Sequence, residues 1–536
     1  MKCRTPALAA AAGLLASLLT GCGQVTGSDA PPVVVGTTDA FAVTKATPAP
    51  FDPAAAYDVS SWNVMRNVYQ TLLRMPRSGN RPVRDAAQKC GFADARNEQY
   101  RCTLRKGLTF SNGHTLDAHD VEFSVRRILR IRFANGPASL LAGIARVKAT
   151  SDHEVVFNLR KPDATFPYKI ATPAASIVDQ ESYPPDGFAK GFETAGSGPY
   201  TLEFDSKASK TVFSRNDEYK GGLHVHSEKV ELRSFKDSES MEKALRAGDI
   251  DLMNRTISPK QVERLEAAPE DRIDLVQQPG QEIRYLVFNT DDETVGRLAV
   301  RRAIAELIDR ESLVRDVYAR TADPLYSLVP SGVPGHRNSF FNKYSASGES
   351  EEESGADAAA NTLRKAGVST PVKLELAYTS DHYGSVTKKE FEALKKQLNN
   401  TGLFDAKVRG LPWDKYRTDA LKGKYQVYGY GWFPDFPDAD NYIAPFFERN
   451  NFLNSPYTST EIRDDVIPRT RQKTDRVRTE AGFERAQDIV ADEVPVLPLW
   501  QGKQFIAARD DITGVEWALN SSSVLQLWEL GRNTDE

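Results

Sequence analysis

The 536-residue chain contains no run of about 18 or more apolar residues, which excludes a membrane-spanning helix. Basic charge is not in excess: 69 Lys and Arg stand against 73 Asp and Glu, a formal net charge of −4. A nucleic-acid binder would normally carry a basic face, so nucleic acid is not an expected partner. Only four Cys and seven His are present, and no C-x-x-C pair occurs. G-x-S-x-G, H-E-x-x-H and G-x-x-x-x-G-K-[ST] are also missing, so the chain is neither a serine hydrolase nor a metalloprotease of those kinds, nor a phosphate-loop ATPase. Pro (30) and Gly (35) are near average usage, which removes collagen-like and globally disordered classes. What is present is 40% hydrophobic and 26% charged residues, enough for a globular protein of two to four domains at about 100–200 residues each.

The start of the chain concerns location. Met1-Lys2-Cys3-Arg4 is basic and is followed by an apolar stretch from Ala7 to Leu19, the pattern of a secretory signal. Leu19-Thr20-Gly21-Cys22 resembles the lipobox of bacterial lipoproteins, an aliphatic and two small residues before the cysteine that takes the lipid. Residues 1–21 are therefore expected as a signal peptide, Cys22 as the lipidation site and 22–32 as a flexible tether to the extracytoplasmic face of the cell membrane. An ordinary cleavage site with an incidental Cys is the alternative. Cys3 would leave with the signal. Cys90 and Cys102, twelve apart in an oxidising compartment, are expected as a disulfide across a local loop.

Periodicity mixes strands and helices, an α/β pattern. Strands are expected at Pro32–Thr37, Lys229–Phe235, Ile283–Thr290, Val372–Thr379, Tyr425–Trp432 and Lys503–Ala508. Helices are expected over Asp117–Ile131, from a Ser258/Gln261 capping box, from a similar box at Thr387–Glu390, and, longest, over Ala299–Tyr318. Ser345–Asp357 is acidic and nearly free of apolar side chains, so it reads as an exposed loop.

Five stretches carry a resemblance. Leu104-Arg105-Lys106-Gly107 through Phe110 and on to Ala118-His119-Asp120-Val121 is one, and Gly196-Ser197-Gly198-Pro199-Tyr200 is the second. The others are Leu245 to Asp251, Val300 to Arg310, and Gly431-Trp432-Phe433-Pro434-Asp435. Their types and order are similar to the family 5 solute-binding proteins of ABC importers, the oligopeptide- and dipeptide-binding lipoproteins. The resemblance implies a two-lobed periplasmic-binding-protein-like fold of the large, three-subdomain type with a hinge and an interlobe cleft. One lobe would be 33–60, 196–282 and 511–536, with a subdomain of 61–195 packed on it; the second lobe would be 283–510. It further implies a monomer that captures peptides without making or breaking a bond, and that delivers them to a permease and its ATPase complex. No cofactor and no metal are implied.

A receptor for zwitterions needs a carboxylate for the ligand ammonium and roomy aromatic pockets. Tyr428 to Tyr442 supplies both, and by the family pattern Asp435 matches the aspartate that meets the ammonium. Asp438 and Asp440 are lesser candidates, and all three would cap turns if the loop were merely structural. Trp432, Tyr285, Tyr69, Thr38, Asp39 and Trp413 complete the ligand-binding candidates, with core packing the competing role for the aromatics. Two His at His224-Val225-His226 make an incomplete metal site. An oligosaccharide or metal chelate as ligand, or a signal-peptide-sensing surface lipoprotein without import, are the rival readings.

Overall fold

The computed structural model describes residues 31–267, 272–344, 355–449, 451, 453–520 and 524–533. The signal peptide, Cys22 and most of the tether lie outside the described residues, as do residues 345–354 of the acidic segment. Gly355–Lys365, expected to begin as loop, is a helix that buries Ala359 and Leu363.

Eleven strands among the described residues form one sheet. Two long antiparallel strands, Ile273–Phe288 and Val496–Arg509, run through its middle. On one side follow Val427–Trp432, Val372–Thr379 and Phe404–Leu411; on the other, Leu252–Asn254, Val33–Thr37, Lys229–Ser234, Lys210–Arg215 and Tyr200–Asp205. Both long strands exceed their sequence expectations because each serves two cores. Ile283–Phe288 and Val496–Trp500 lie in a core that extends through Tyr378, Phe391 and Tyr442. Ile506 and Ala508 lie in a second, with Val33, Trp62, Phe213 and Leu530. The register between the strands shifts from Pro279 to Ile283, where they pass from one core to the other.

A third core belongs to residues 54–177 and packs a four-stranded sheet against the helix Ala118–Ile131. That helix starts where the sequence places it: Asp117 accepts from His119 N–H, and Asp120 accepts in return from Asp117 N–H at 3.0 Å. Cys90 and Cys102 are bonded, S–S 2.03 Å. They are a directly opposed pair in the hairpin Ala87–Phe92/Gln99–Leu104, so the bond ties two strands rather than an irregular loop.

Gly198 shows why its motif is more than a turn. Its N–H donates to the Val68 carbonyl at 2.8 Å, and a Cβ there would stand 2.5 Å from the Val68 carbonyl carbon. The segment is thereby docked on the end of the helix Val59–Val68.

One helix expectation fails, and in a second the helix forms without its expected cap. The run Ala299–Tyr318 is not one helix: Leu298–Leu307 ends, Ile308 is extended, and Asp309 caps a new turn by accepting from Ser312 N–H at 3.0 Å. Asp309 competes for the backbone as N-cap residues do. In Thr387–Asn399, Glu390 does not reach back to the helix start. It lies in the core, accepting from Tyr318 Oη (2.9 Å) and Trp500 Nε1 (2.8 Å), and burial raises its pKa.

Candidate functional site

Asp435 sits in the loop between the strand Val427–Trp432 and the helix Asp440–Phe447. Asn441 fixes it. The amide oxygen of Asn441 accepts from Asp435 N–H (2.8 Å) and from Trp432 Nε1 (3.2 Å), while its Nδ2 donates to the Asp435 carboxylate (3.0 Å). The remaining donor comes from the segment before the helix Val59–Val68, packed on the second core: Tyr57 Oη donates to Asp435 Oδ2 at 3.4 Å. Arg66 and Lys169 act on this carboxylate only from farther away, and no cation forms an ion pair with it among the described residues. Burial pushes its pKa up to about 6, against the lowering effect of Asn441 and Tyr57.

The neighbouring aspartates have other work. Asp438 takes Arg476 through two bonds of 2.7 and 2.8 Å, and Asp440 takes Arg471 through 2.9 and 3.0 Å. Both are buried, and they hold the loop to the segment that follows.

A second wall is formed by residues 38–58 and 254–256. Thr38 Oγ1 lies 2.7 Å from Thr256 Oγ1. Asp39 pairs with Arg255 at 3.2 Å, and Arg255 also donates to Ser60 Oγ at 3.2 Å. Asp58 caps the helix Val59–Val68 by accepting from Ser61 N–H at 2.8 Å. Its side chain is solvent-accessible, yet surrounding protein raises its pKa, as expected for a group on the wall of an enclosed space.

The third wall is aromatic and cationic. The Arg284 guanidinium lies 3.9 Å from the Tyr383 ring and 5.2 Å from that of Trp500, and pairs with Glu282. Gly431 leaves room beside it, since a Cβ would stand 1.9 Å from Arg284 Nη1 and the guanidinium would have to move. His382 stacks flat on Trp413, centroids 3.8 Å apart at 6°. Burial first, then Arg284 and Arg255, hold the His382 pKa down at about 4, so the imidazole is neutral at pH 7. Arg417, half-buried on the helix Trp413–Leu421, is close enough to Tyr57, Tyr430 and His382 for its charge to act on each. Arg255 of the second wall acts likewise on Glu282 and His382. The three walls are therefore near one another, with Asp435 at one side and Arg255, Arg284 and Arg417 around it.

Of the sequence candidates, Asp435, Thr38, Asp39 and Trp413 belong to these three walls. Trp432 is buried immediately behind Asp435, edge-on to Phe446 at 5.6 Å. Tyr69 and Tyr285 are in cores instead. Tyr69 Oη bonds Tyr183 Oη (2.7 Å) and the Phe51 carbonyl (3.0 Å). Tyr285 is fully buried beside Tyr430 and Phe446, because its strand turns that face inward. His224 and His226 are exposed, rings 4.6 Å apart, and no group of three metal-ligating side chains exists among the described residues. Tyr57, Arg255, Glu282, Arg284, His382, Tyr383 and Arg417 escape sequence reasoning. None stands in a stretch whose composition marks it.

The profile for bacterial extracellular solute-binding proteins, family 5, matches residues 81–454, and the chain belongs to that family. It is a solute-binding protein and not an enzyme. It is 25% identical over 486 residues, 88% of this chain and 89% of the other, to the "Probable D,D-dipeptide-binding periplasmic protein DdpA" of Escherichia coli. Its fold is similar to that of the periplasmic binding protein DppA from Helicobacter pylori in complex with the peptide STSA. The TM-score is 0.76 at 20% identity, covering 94% of this chain and 98% of that one. It is similar also to a dipeptide-binding protein from Pseudoalteromonas in complex with Met-Leu, TM-score 0.77 at 19% identity, covering 94% and 100%.

Proposed function

We propose that the chain captures short peptides in the space between Asp435 and the three arginines. It holds them while the two parts of the molecule close, and delivers them to the permease and ATPase of an ABC importer. Asp435 is the observation that carries this reading. It is a desolvated carboxylate, positioned by three hydrogen bonds, that has no ion-pair partner among the described residues. A peptide α-ammonium supplies that partner, and the bond is charge-assisted, worth about 1.5–3 kcal/mol. The rings of Tyr383, Trp413 and Tyr430 offer apolar, shape-tolerant surface for side chains. The names of the related proteins above, which bind dipeptides and a tetrapeptide, support the same ligand class.

Closure is hinge motion about the register shift in the two long strands, with residues 33–60, 196–282 and 511–536 on one side, carrying the 61–195 subdomain, and 283–510 on the other. The Cys22 lipid keeps the receptor at the extracytoplasmic membrane face.

Native mass spectrometry of the protein as purified from cells, followed by release and sequencing of the bound mass, tests the reading. A heterogeneous set of short peptides is expected. Binding of a synthetic dipeptide should weaken about tenfold or more in Asp435→Asn. An empty protein that ignores a peptide library would overturn it.

A further inference from the structure

A cavity of about 560 Å³ is lined by none of the residues described around Asp435. Arg74, Arg77, Arg84, Arg105, His224 and His226 line it, and Glu529 is its one carboxylate. The arginines are loosely engaged. Arg74 and Arg84 each donate to a nearby carbonyl (3.4 and 3.1 Å), and Arg77 stands 3.7 Å from Glu529. Arg105 has its Nε buried without an acceptor, as has the indole N–H of Trp528, a buried residue that also lines the cavity. Four guanidiniums line the cavity with one carboxylate, Asp85 acting on Arg74 and Arg105 from outside its wall, and the donors left over fit a ligand that is anionic and all acceptor. Phosphate is that ligand, since guanidinium forks match its oxygens in pairs.

Three neighbouring features tell what carries the phosphate. Trp517 is 40% exposed and lies under Arg77, ring centroid to Cζ 3.8 Å. Val83, also exposed, belongs to the cavity wall. Aromatic and apolar side chains interleaved with arginines are what a lipid–water interface selects. Third, Arg532 follows Glu529 by three residues, about 10 Å at most, and donates to the Pro32 carbonyl at 3.5 Å. Pro32, which follows the expected tether in sequence, is thus held by a residue three positions from the cavity's Glu529.

We propose that the cavity takes the phosphate of an anionic membrane lipid and seats the receptor body on the membrane surface. The choice of a lipid over a soluble phosphate rests on the lipid-anchored reading of Cys22; the excess of arginine does not.

The test uses the full chain carrying Cys22→Ser, so that no acyl chain contributes, and phosphatidylcholine vesicles with or without phosphatidylglycerol. Co-sedimentation at low salt is expected to be at least about fivefold stronger with phosphatidylglycerol and to fall as salt rises. Arg84→Gln with Arg105→Gln should cut it to the phosphatidylcholine level, while dipeptide affinity and melting temperature stay unchanged. Arg84→Gln alone, at an exposed side chain, should give a partial loss even if the double variant folds poorly. Equal sedimentation with both vesicles, or sedimentation untouched by these variants, overturns the proposal. So does calorimetric binding of inorganic phosphate without vesicle binding, which would make the cavity a soluble-anion site. Loss of dipeptide binding with vesicle binding retained would instead count against the peptide reading alone.

Discussion

The hydroxyl of Tyr57 donates to the carboxylate of Asp435 across 3.4 Å, although 378 residues separate the two in the chain. Tyr57 is held by its own side of the molecule, its ring 5.4 Å from that of Trp62, and Asp435 by Asn441 on the other. The bond thus joins the two halves at the point where a ligand ammonium is expected. Tyr57→Phe keeps the ring and removes the donor. A long hydrogen bond to a charged acceptor contributes about 0.5–1.5 kcal/mol, so dipeptide affinity should fall roughly two- to tenfold in calorimetric titration. Unchanged affinity would mean that Tyr57 only fills space.

The raised Asp435 pKa gives a pH dependence with a defined sign. In the free protein burial favours the protonated carboxyl, with a pKa of about 6. A bound ammonium favours the ionised form, so binding below pH 6 expels a proton and affinity falls with pH. At pH 5 the dipeptide should bind about tenfold more weakly than at pH 7, with buffer-dependent heats that report the released proton. Stability of the free protein runs the other way. A folded-state pKa raised above 3.8 contributes stability that is present below 3.8 and lost as pH rises through about 6. His382, held near 4, does not titrate in that upper range. Asp435→Asn should flatten the affinity profile between pH 5 and 7.

Arg417 is the cation expected to meet the ligand's carboxylate. It makes no hydrogen bond or ion pair among the described residues, unlike Arg255, which holds Asp39, and Arg284, which holds Glu282. Arg417→Gln should weaken a free-acid dipeptide about tenfold and leave the C-terminally amidated form nearly untouched. Equal losses for both would assign Arg417 to the architecture of the aromatic wall.

Much of this arrangement is legible before any coordinates, and what is not has a common cause. Asp117 caps its helix through residues within three positions and can be read locally, whereas the close approach of Gly198 to Val68, distant in the chain, cannot. Asp435 is singled out because its loop has a family pattern. Glu390 misleads because Thr387 to Glu390 has the spacing of a cap, and only the fold brings Tyr318 and Trp500 to it from 72 and 110 residues away. Tyr69 and Tyr285 mislead for the same reason: an aromatic on an amphipathic element is read alike whether its face meets a cleft or a core. Arg255, Arg284 and Arg417 are three among 69 basic residues, and their convergence is a property of the sheet order.

Arg127 and Asp52 carry the last prediction. Their side chains are 1% and 0% exposed and share two bonds of 2.7 and 2.6 Å. Arg127 also donates to the Pro184 and Gly187 carbonyls, and Asp52 accepts from Ala54 and Ala189 N–H. The pair fastens the helix Ala118–Ile131 to the segment that ends in Tyr57. Removing one partner strands a buried charge, so Arg127→Leu should cost about 3–5 kcal/mol. Arg127→Leu with Asp52→Leu strands none and should cost less than either single change, a coupling that a double-mutant cycle of denaturant midpoints measures directly. Because Ala54 N–H is bound by Asp52 only three residues before Tyr57, peptide affinity at a temperature where each variant is folded should fall in step with the Tyr57→Phe loss and no further. A larger loss would mean that the third core contributes ligand contacts of its own.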